Sequence, residues 1–295
     1  RLTRRDLLKG VAGAGLAAAL GPLAGCTAVQ PRARDLIRSE NAKSGTTDWL
    51  LTDTRADPKT KYRCPWIEGY CSRTSLRAGE TIDIMVSTNP PSPFVIDFYR
   101  LGYYGGRGGR HVAQLGPFQG RVQPDPEVGV ERLRECLWEP ATKLAIPKDW
   151  PSGVYLGKLT AEKEKLQSYI IFIVRDDRPC DILFQCSDTT WAAYNRWPDV
   201  FSLYDDGTPP HNWYVGPGIR VGWDRPYGKY RQIFDAPLSQ GSGEFLLWEF
   251  PLAYWMEQHG YDVSYISNVD THSDAQGLRR ARAWLSVGHD EYWSL

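Results

Sequence analysis

The sequence predicts an immunoglobulin-like β-sandwich over residues 45–175, followed by a parallel-sheet α/β domain over 180–295. Two observations carry this. The first part is a series of short runs in which apolar and polar residues alternate between turn residues. That is the pattern of half-buried sandwich strands. The second part reads strand, helix, strand, helix, strand, the grammar of a parallel sheet of the Rossmann or glutamine-amidotransferase type. Between them Arg175-Asp176-Asp177-Arg178-Pro179 is charged and contains proline, as domain links do. The chain opens on Arg1, without Met, and stops at Leu295 inside a motif. It therefore reads as a fragment whose second domain is cut short.

In the first part, residues 81–87 alternate as a strand and 94–100 do so less cleanly. Asn89-Pro90-Pro91-Ser92-Pro93 makes the turn between them. Residues 154–160 and 168–174 form a closing hairpin around the charged turn 161–165. Five glycines between Gly102 and Gly109 mark a flexible hairpin tip, because the strand–helix setting of a phosphate loop is missing. In the second part, 181–186 is a buried-type strand that ends in polar Ser187-Asp188-Thr189-Thr190. Residues 205–243 form a long loop rich in Gly, Pro and aromatics, and loops of that length tend to be functional or disordered. Residues 244–260 read as one helix. Phe245, Trp248, Leu252 and Trp255 recur at spacings of three and four, and Gly260 stops it. A strand at 263–266, a short helix at 279–283 and a strand at 284–288 complete the pattern.

Composition narrows the function classes. The length of 295 residues suits about two domains. With 42% hydrophobic and 24% charged residues, the bulk is not disordered, collagenous or coiled coil. Lys+Arg and Asp+Glu balance at 35 each, so no field favours nucleic acid. Aromatics reach 13%, with 12 Trp and 16 Tyr. Their polar tips need partners, which suits them to building sites.

The first residues read as an export signal. Arg4 and Arg5 form a twin-arginine pattern, and a weakly apolar stretch rich in Ala and Gly follows. Leu23-Ala24-Gly25-Cys26 reads as a lipobox in which Cys26 is lipidated. Residues 1–26 are thus a signal peptide and 27–44 a polar tether. The expected location is periplasmic or on the cell surface, with membrane contact only through the lipid anchor. Five cysteines remain, so at least one thiol stays free; Cys64 and Cys71 flank a short loop and could pair. No C-x-x-C exists and His numbers five, which disfavours a Cys/His zinc site.

Candidate chemistry gathers at two strand ends, where sites form in parallel sheets. Gly288-His289-Asp290-Glu291-Tyr292-Trp293 follows an apolar strand, and alternation puts His289 and Glu291 on one side. Trp191-Ala192-Ala193-Tyr194-Asn195-Arg196-Trp197 follows the first α/β strand. A helix-capping loop and an aromatic core helix are the plainer readings of these two segments. Tyr155, central in a strand, reads most simply as a sandwich-core tyrosine.

These residues carry a resemblance. Glu40-Asn41, Gly45-Thr46-Thr47-Asp48-Trp49 and Ile67-Glu68-Gly69-Tyr70 resemble blocks of the large (β) subunit of N,N-dimethylformamidase and its relatives. So do Phe98-Tyr99-Arg100-Leu101-Gly102-Tyr103-Tyr104-Gly105-Gly106 and Trp150-Pro151-Ser152-Gly153-Val154-Tyr155. Thr190-Trp191-Ala192-Ala193-Tyr194-Asn195 and Gly288-His289-Asp290-Glu291-Tyr292-Trp293-Ser294 complete the set, which runs from about Asp35 to the end.

The resemblance implies a mononuclear Fe³⁺ site held by two tyrosinates and a glutamate, where a metal-bound water attacks an amide carbon. It makes Glu291, Tyr194 and Tyr155 the metal ligands, with Tyr169 as the fallback for Tyr155. It makes His289, with Asn195, the catalytic group that handles protons. It also implies a small linear amide as substrate, and a small partner subunit or a homo-oligomer. Phenolate and carboxylate are hard oxygen donors suited to such an ion. The family enzyme carries a long additional C-terminal part beyond the residues seen here. A competing reading is a non-catalytic envelope lipoprotein that binds a polymer such as a glycan. A glycan-active enzyme with paired carboxylates is weaker, because no pattern points a second carboxylate at His289 and Glu291.

Overall fold

The computed structural model describes residues 35–198, 209, 220–228 and 245–293. The expected signal segment, with Arg4, Arg5 and Cys26, lies outside the described residues, as does most of the long loop at 205–243.

The first part is built from β1 (Glu68–Cys71), β2 (Ser75–Arg77), β3 (Thr81–Ser87), β4 (Pro93–Leu101), β5 (Gly109–Gln119), β6 (Pro140–Ala145), β7 (Gly153–Ala161) and β8 (Gln167–Arg175). They form two sheets, β1-β3-β6 and β2-β8-β7-β4-β5, antiparallel except for the β2–β8 pair. Ile82, Ile84 and Val86 of β3 share a core with Phe94, Ile96 and Phe98 of β4 and with Tyr155 and Phe172. The two sheets therefore face each other across that core.

The opposite face of the larger sheet is also covered. Leu156, Tyr169, Ile171 and Ile173 share a second core with Phe184, Trp191, Met256 and Tyr265. This explains why Ser168-Tyr169-Ile170-Ile171-Phe172-Ile173-Val174 is almost unbroken in apolar character. A strand buried on both faces cannot alternate.

The second part holds β9 (Cys180–Cys186), α2 (Asp188–Tyr194), α3 (Phe250–Gln258), β10 (Val263–Ser267), α4 (Asn268–Ser273) and β11 (Ala281–Ser286), with α1 (Leu36–Asn41) at the start of the chain. The three strands are parallel in the order β10-β9-β11. The structure is thus a mixed, β-rich fold of several sheets with few helices. The link at 176–179 is stitched down, because Arg178 Nη2 donates to Val263 O at 3.1 Å and Ser264 Oγ donates to Asp176 Oδ1 at 2.7 Å.

Four local expectations are corrected. The expected tether is ordered from residue 35: α1 buries Ile37 and Glu40, and Glu40 accepts from Arg110 Nε at 2.6 Å and from Tyr104 Oη at 2.7 Å. The glycine-rich hairpin tip is pinned rather than loose, since the Tyr103 and Tyr104 N–H groups both donate to Asn41 Oδ1 at 2.9 Å. The helix expected over 244–260 is a wide π-type turn, Phe245–Glu249, followed by α3. Pro251 offers no N–H to close the regular ladder there. Its buried face is Phe245, Glu249, Ala253, Met256 and Glu257, while Trp248 and Trp255 are exposed. Acid partners decide that face: Arg100 Nη2 donates to Glu257 Oε1 at 2.8 Å, and Tyr265 Oη to the same oxygen at 2.9 Å. Finally, 275–280 is a 3₁₀ turn and β11 starts at Ala281. No disulfide joins Cys64 to Cys71.

Candidate active site

Parallel strands send their carboxyl ends to one edge of the sheet. Because β9 and β11 are neighbours, the segments that follow them meet there. The first carries α2 and Tyr194; the second carries His289 and Glu291. Tyr194 Oη donates to Glu291 Oε2 at 2.7 Å, and His289 Nε2 lies 3.0 Å from the same oxygen. The Tyr194 and His289 rings meet edge to face at 4.6 Å. Tyr194 is buried, whereas the His289 and Glu291 side chains are 33% and 43% exposed. The cluster thus reaches the protein surface through His289 and Glu291.

The loop that carries His289 and Glu291 is fixed by its middle residue. Asp290 accepts from Ser286 Oγ at 2.6 Å, Gln185 Nε2 at 2.7 Å and Asn268 Nδ2 at 3.1 Å. Gln185 and Ser286 lie at the ends of β9 and β11, and Asn268 opens α4 just after β10. The Glu291 N–H donates to Thr190 Oγ1 at 3.0 Å, and Thr189 Oγ1 donates to Tyr292 O at 2.7 Å. Gly288 has φ of 71°, and a Cβ there would meet Trp248 Cβ at 2.6 Å. Only glycine fits that approach.

Two buried carboxyls lie behind the cluster. Glu249 is fully buried, bonds Ser187 Oγ and accepts from Trp191 Nε1 at 2.8 Å. Burial pushes its pKa up to about 8. Asp188, also fully buried, is pushed up to about 7 by burial and accepts from the Asn268 N–H at 2.7 Å. Arg225 is buried as well and closes the carboxyl end of α2, donating to Ala192 O at 2.9 Å and Trp197 O at 2.7 Å. A cation there complements the helix dipole.

The structure brings Tyr194, His289 and Glu291 together, but not the other expected site residues. Tyr155 Oη donates to Pro151 O at 2.8 Å, and its ring stacks on Trp150 at 4.7 Å inside the core between the two antiparallel sheets. Its side chain leaves β7 on the face away from α2, so it is a core tyrosine. Tyr169 leaves β8 on the other face and joins the core that holds Trp191. Asn195 is consumed structurally: Nδ2 donates to Pro226 O at 2.9 Å, and Oδ1 accepts from the Gly228 N–H at 2.8 Å. It ties residues 226–228 to α2.

The sequence pattern does not single out Asn268, Glu249 or Arg225. One signal was present. Ser267-Asn268-Val269-Asp270 is a capping box, which the structure forms, and it marks a helix start at a strand's carboxyl end. Nothing in the local pattern pairs Thr190 with Glu291. Among the described residues, no group of three or more His, Cys, Asp or Glu side chains is placed to hold a metal. The convergent donors here are one phenol, one carboxylate and one imidazole.

Among solved structures the chain is similar to a superoxide reductase (neelaredoxin) from Ignicoccus hospitalis. Identity is 11%, over 41% of this chain and 86% of that one, with a TM-score of 0.22. It is also similar to a family 123 glycoside hydrolase from Clostridium perfringens, at 13% identity over 43% of this chain and 31% of that one, with a TM-score of 0.17. TM-scores this low carry no argument about fold or chemistry. No curated protein matches the chain. The family profile described as N,N-dimethylformamidase beta subunit-like, C-terminal, matches residues 95–295, which include every residue of the Tyr194–His289–Glu291 cluster. The chain belongs to the N,N-dimethylformamidase beta subunit-like family.

Proposed function

We propose that the chain is part of a metal-dependent hydrolase of C–N bonds in small linear amides. One observation carries this reading: in a member of this family, Glu291 Oε2 is shared by the Tyr194 phenol at 2.7 Å and His289 Nε2 at 3.0 Å. A phenol and a carboxylate that already share a proton fit a hard cation such as Fe³⁺, which would take that proton's place. Tyr194 and Glu291 would hold it; Tyr155, in its separate core, would not. When bound, such an ion acts as a Lewis acid toward an amide carbonyl. His289, partly exposed beside Glu291, takes or returns a proton at Nε2. Asp290 and Thr190 hold both side chains in register with α2.

The fold reading that goes with it is an immunoglobulin-like sandwich for the two facing sheets, and the start of a Rossmann or glutamine-amidotransferase type sheet for β9–β11. The parallel order with a central first strand supports the latter. Export by the twin-arginine signal, lipidation at Cys26 and a small partner subunit belong to the same proposal.

Iron analysis and a visible spectrum of the full-length protein, together with an assay on N,N-dimethylformamide and formamide, test the reading. Bound iron with a tyrosinate charge-transfer band and release of amine or ammonia support it. A colourless, iron-free protein that hydrolyses neither amide overturns it.

A further inference from the structure

Away from the Tyr194–Glu291 cluster, a cavity of about 230 Å³ lies where β2, the end of β8, α4 and the turn before β11 meet. Arg77, Arg175 and Arg280 line it against two carboxylates, Asp270 and Asp274. Its walls therefore carry a net positive charge.

The three guanidiniums differ in how they are used. Arg77 grips the two oxygens of Asp177 through Nε and Nη2, at 2.7 and 3.1 Å. Arg175 Nε lies 2.9 Å from Asp270 Oδ1. Arg280 donates from Nη1 to Gly277 O at 2.8 Å. Its Nε and Nη2 are buried and donate to no acceptor among the described residues. That is the same edge of the guanidinium with which Arg77 holds a carboxylate.

Shielded charged donors without acceptors are costly, and this edge matches two oxygens of one oxyanion. The carboxylates nearby are already engaged. Asp270 accepts from the Ser267 N–H at 2.9 Å besides pairing with Arg175, and Asp274 accepts from the Gly277 N–H at 2.9 Å. The hydrogen bonds and charge of Arg77, with the charges of Arg175 and Arg280, hold the Asp177 carboxyl below its usual range.

We propose that this cavity binds a phosphate-class oxyanion, with Arg280 as its bidentate grip and Arg77 and Arg175 supplying the surrounding charge. The proposal is independent of the amide chemistry and survives if that reading fails.

The test is calorimetric titration of the full-length protein with inorganic phosphate, at ionic strength held constant with sodium chloride. Wild type is expected to bind one phosphate per chain. Arg280→Gln should lose that binding, and Arg280→Lys, which keeps the charge but not the fork, should weaken it about tenfold or more. Arg279→Gln, a change at the exposed neighbour, should bind as wild type does. Circular dichroism checks that each variant is folded, and Arg280→Lys decides the matter if Arg280→Gln is not. No phosphate binding by wild type, or undiminished binding in the folded Arg280 variants, overturns the proposal.

Discussion

The Tyr194 phenol donates a 2.7 Å hydrogen bond to Glu291 Oε2, although the two residues stand 97 positions apart in the chain. Each ends a segment that leaves the carboxyl end of a parallel strand, and those strands are neighbours. If this pair holds a cation, its two members should fail differently. Glu291→Ala removes an anionic donor and should abolish iron binding. Tyr194→Phe keeps the ring beside His289 and should weaken binding while bleaching the visible band. His289→Ala should keep most of the iron and lower turnover by roughly 10²–10⁴-fold. Metal analysis alongside amide turnover separates the three cases.

Asp290 is the anchor of the loop. Asp290→Ala removes the acceptor for Ser286, Gln185 and Asn268, and should destabilise the protein by roughly 2–3 kcal/mol, from two or more lost hydrogen bonds to a charged acceptor. Turnover should fall further than stability does, because His289 and Glu291 lose their register. Denaturant titration and kinetics on the same sample check both.

Stability should depend on pH through Glu249. Its buried carboxyl titrates near 8 in the folded protein, whereas an exposed glutamate titrates at about 4.3. Folding therefore takes up a proton between these values. The contribution is complete below the unfolded value and is lost as pH rises through about 8. Asp188, pushed up to about 7, acts with the same sign. Chemical denaturation from pH 5 to pH 9 should show stability falling by a few kcal/mol, and Glu249→Gln should flatten that slope.

Arg100 and Glu257 form a fully buried ion pair at 2.8 Å. Glu257→Ala would leave the guanidinium uncompensated and should cost about 3–5 kcal/mol. Replacing both residues together with Arg100→Met and Glu257→Leu should cost less than Glu257→Ala alone. Urea midpoints for the single and double variants decide it.

Tyr155→Phe keeps the stack on Trp150 and loses the hydrogen bond to Pro151 O. It should cost about 1 kcal/mol and leave metal content unchanged. Loss of metal would return Tyr155 to the ligand set.

By itself, the sequence determined most strands and the two segments of the site. Alternation at 81–87, the apolar run at 168–174 and the strand at 181–186 are local signals, because a strand's side-chain period is written in consecutive residues. So is the nearness of His289 to Glu291, two residues apart. Tertiary structure decided the rest. The order β10-β9-β11 sets Tyr194 beside Glu291, and no local period encodes which strands become neighbours. Burial of Glu249 and Glu257, with Trp248 and Trp255 left exposed, reverses what hydropathy predicts. Partners outside the helix, Ser187, Trp191, Arg100 and Tyr265, satisfy those acids, and a buried carboxyl with satisfied hydrogen bonds outweighs an apolar stripe. Tyr155 and Tyr169 lie on adjacent strands with similar neighbours in sequence, yet they face opposite cores. Strand register, a property of the assembled sheet, chose which of them shares a core with the helix that carries Tyr194.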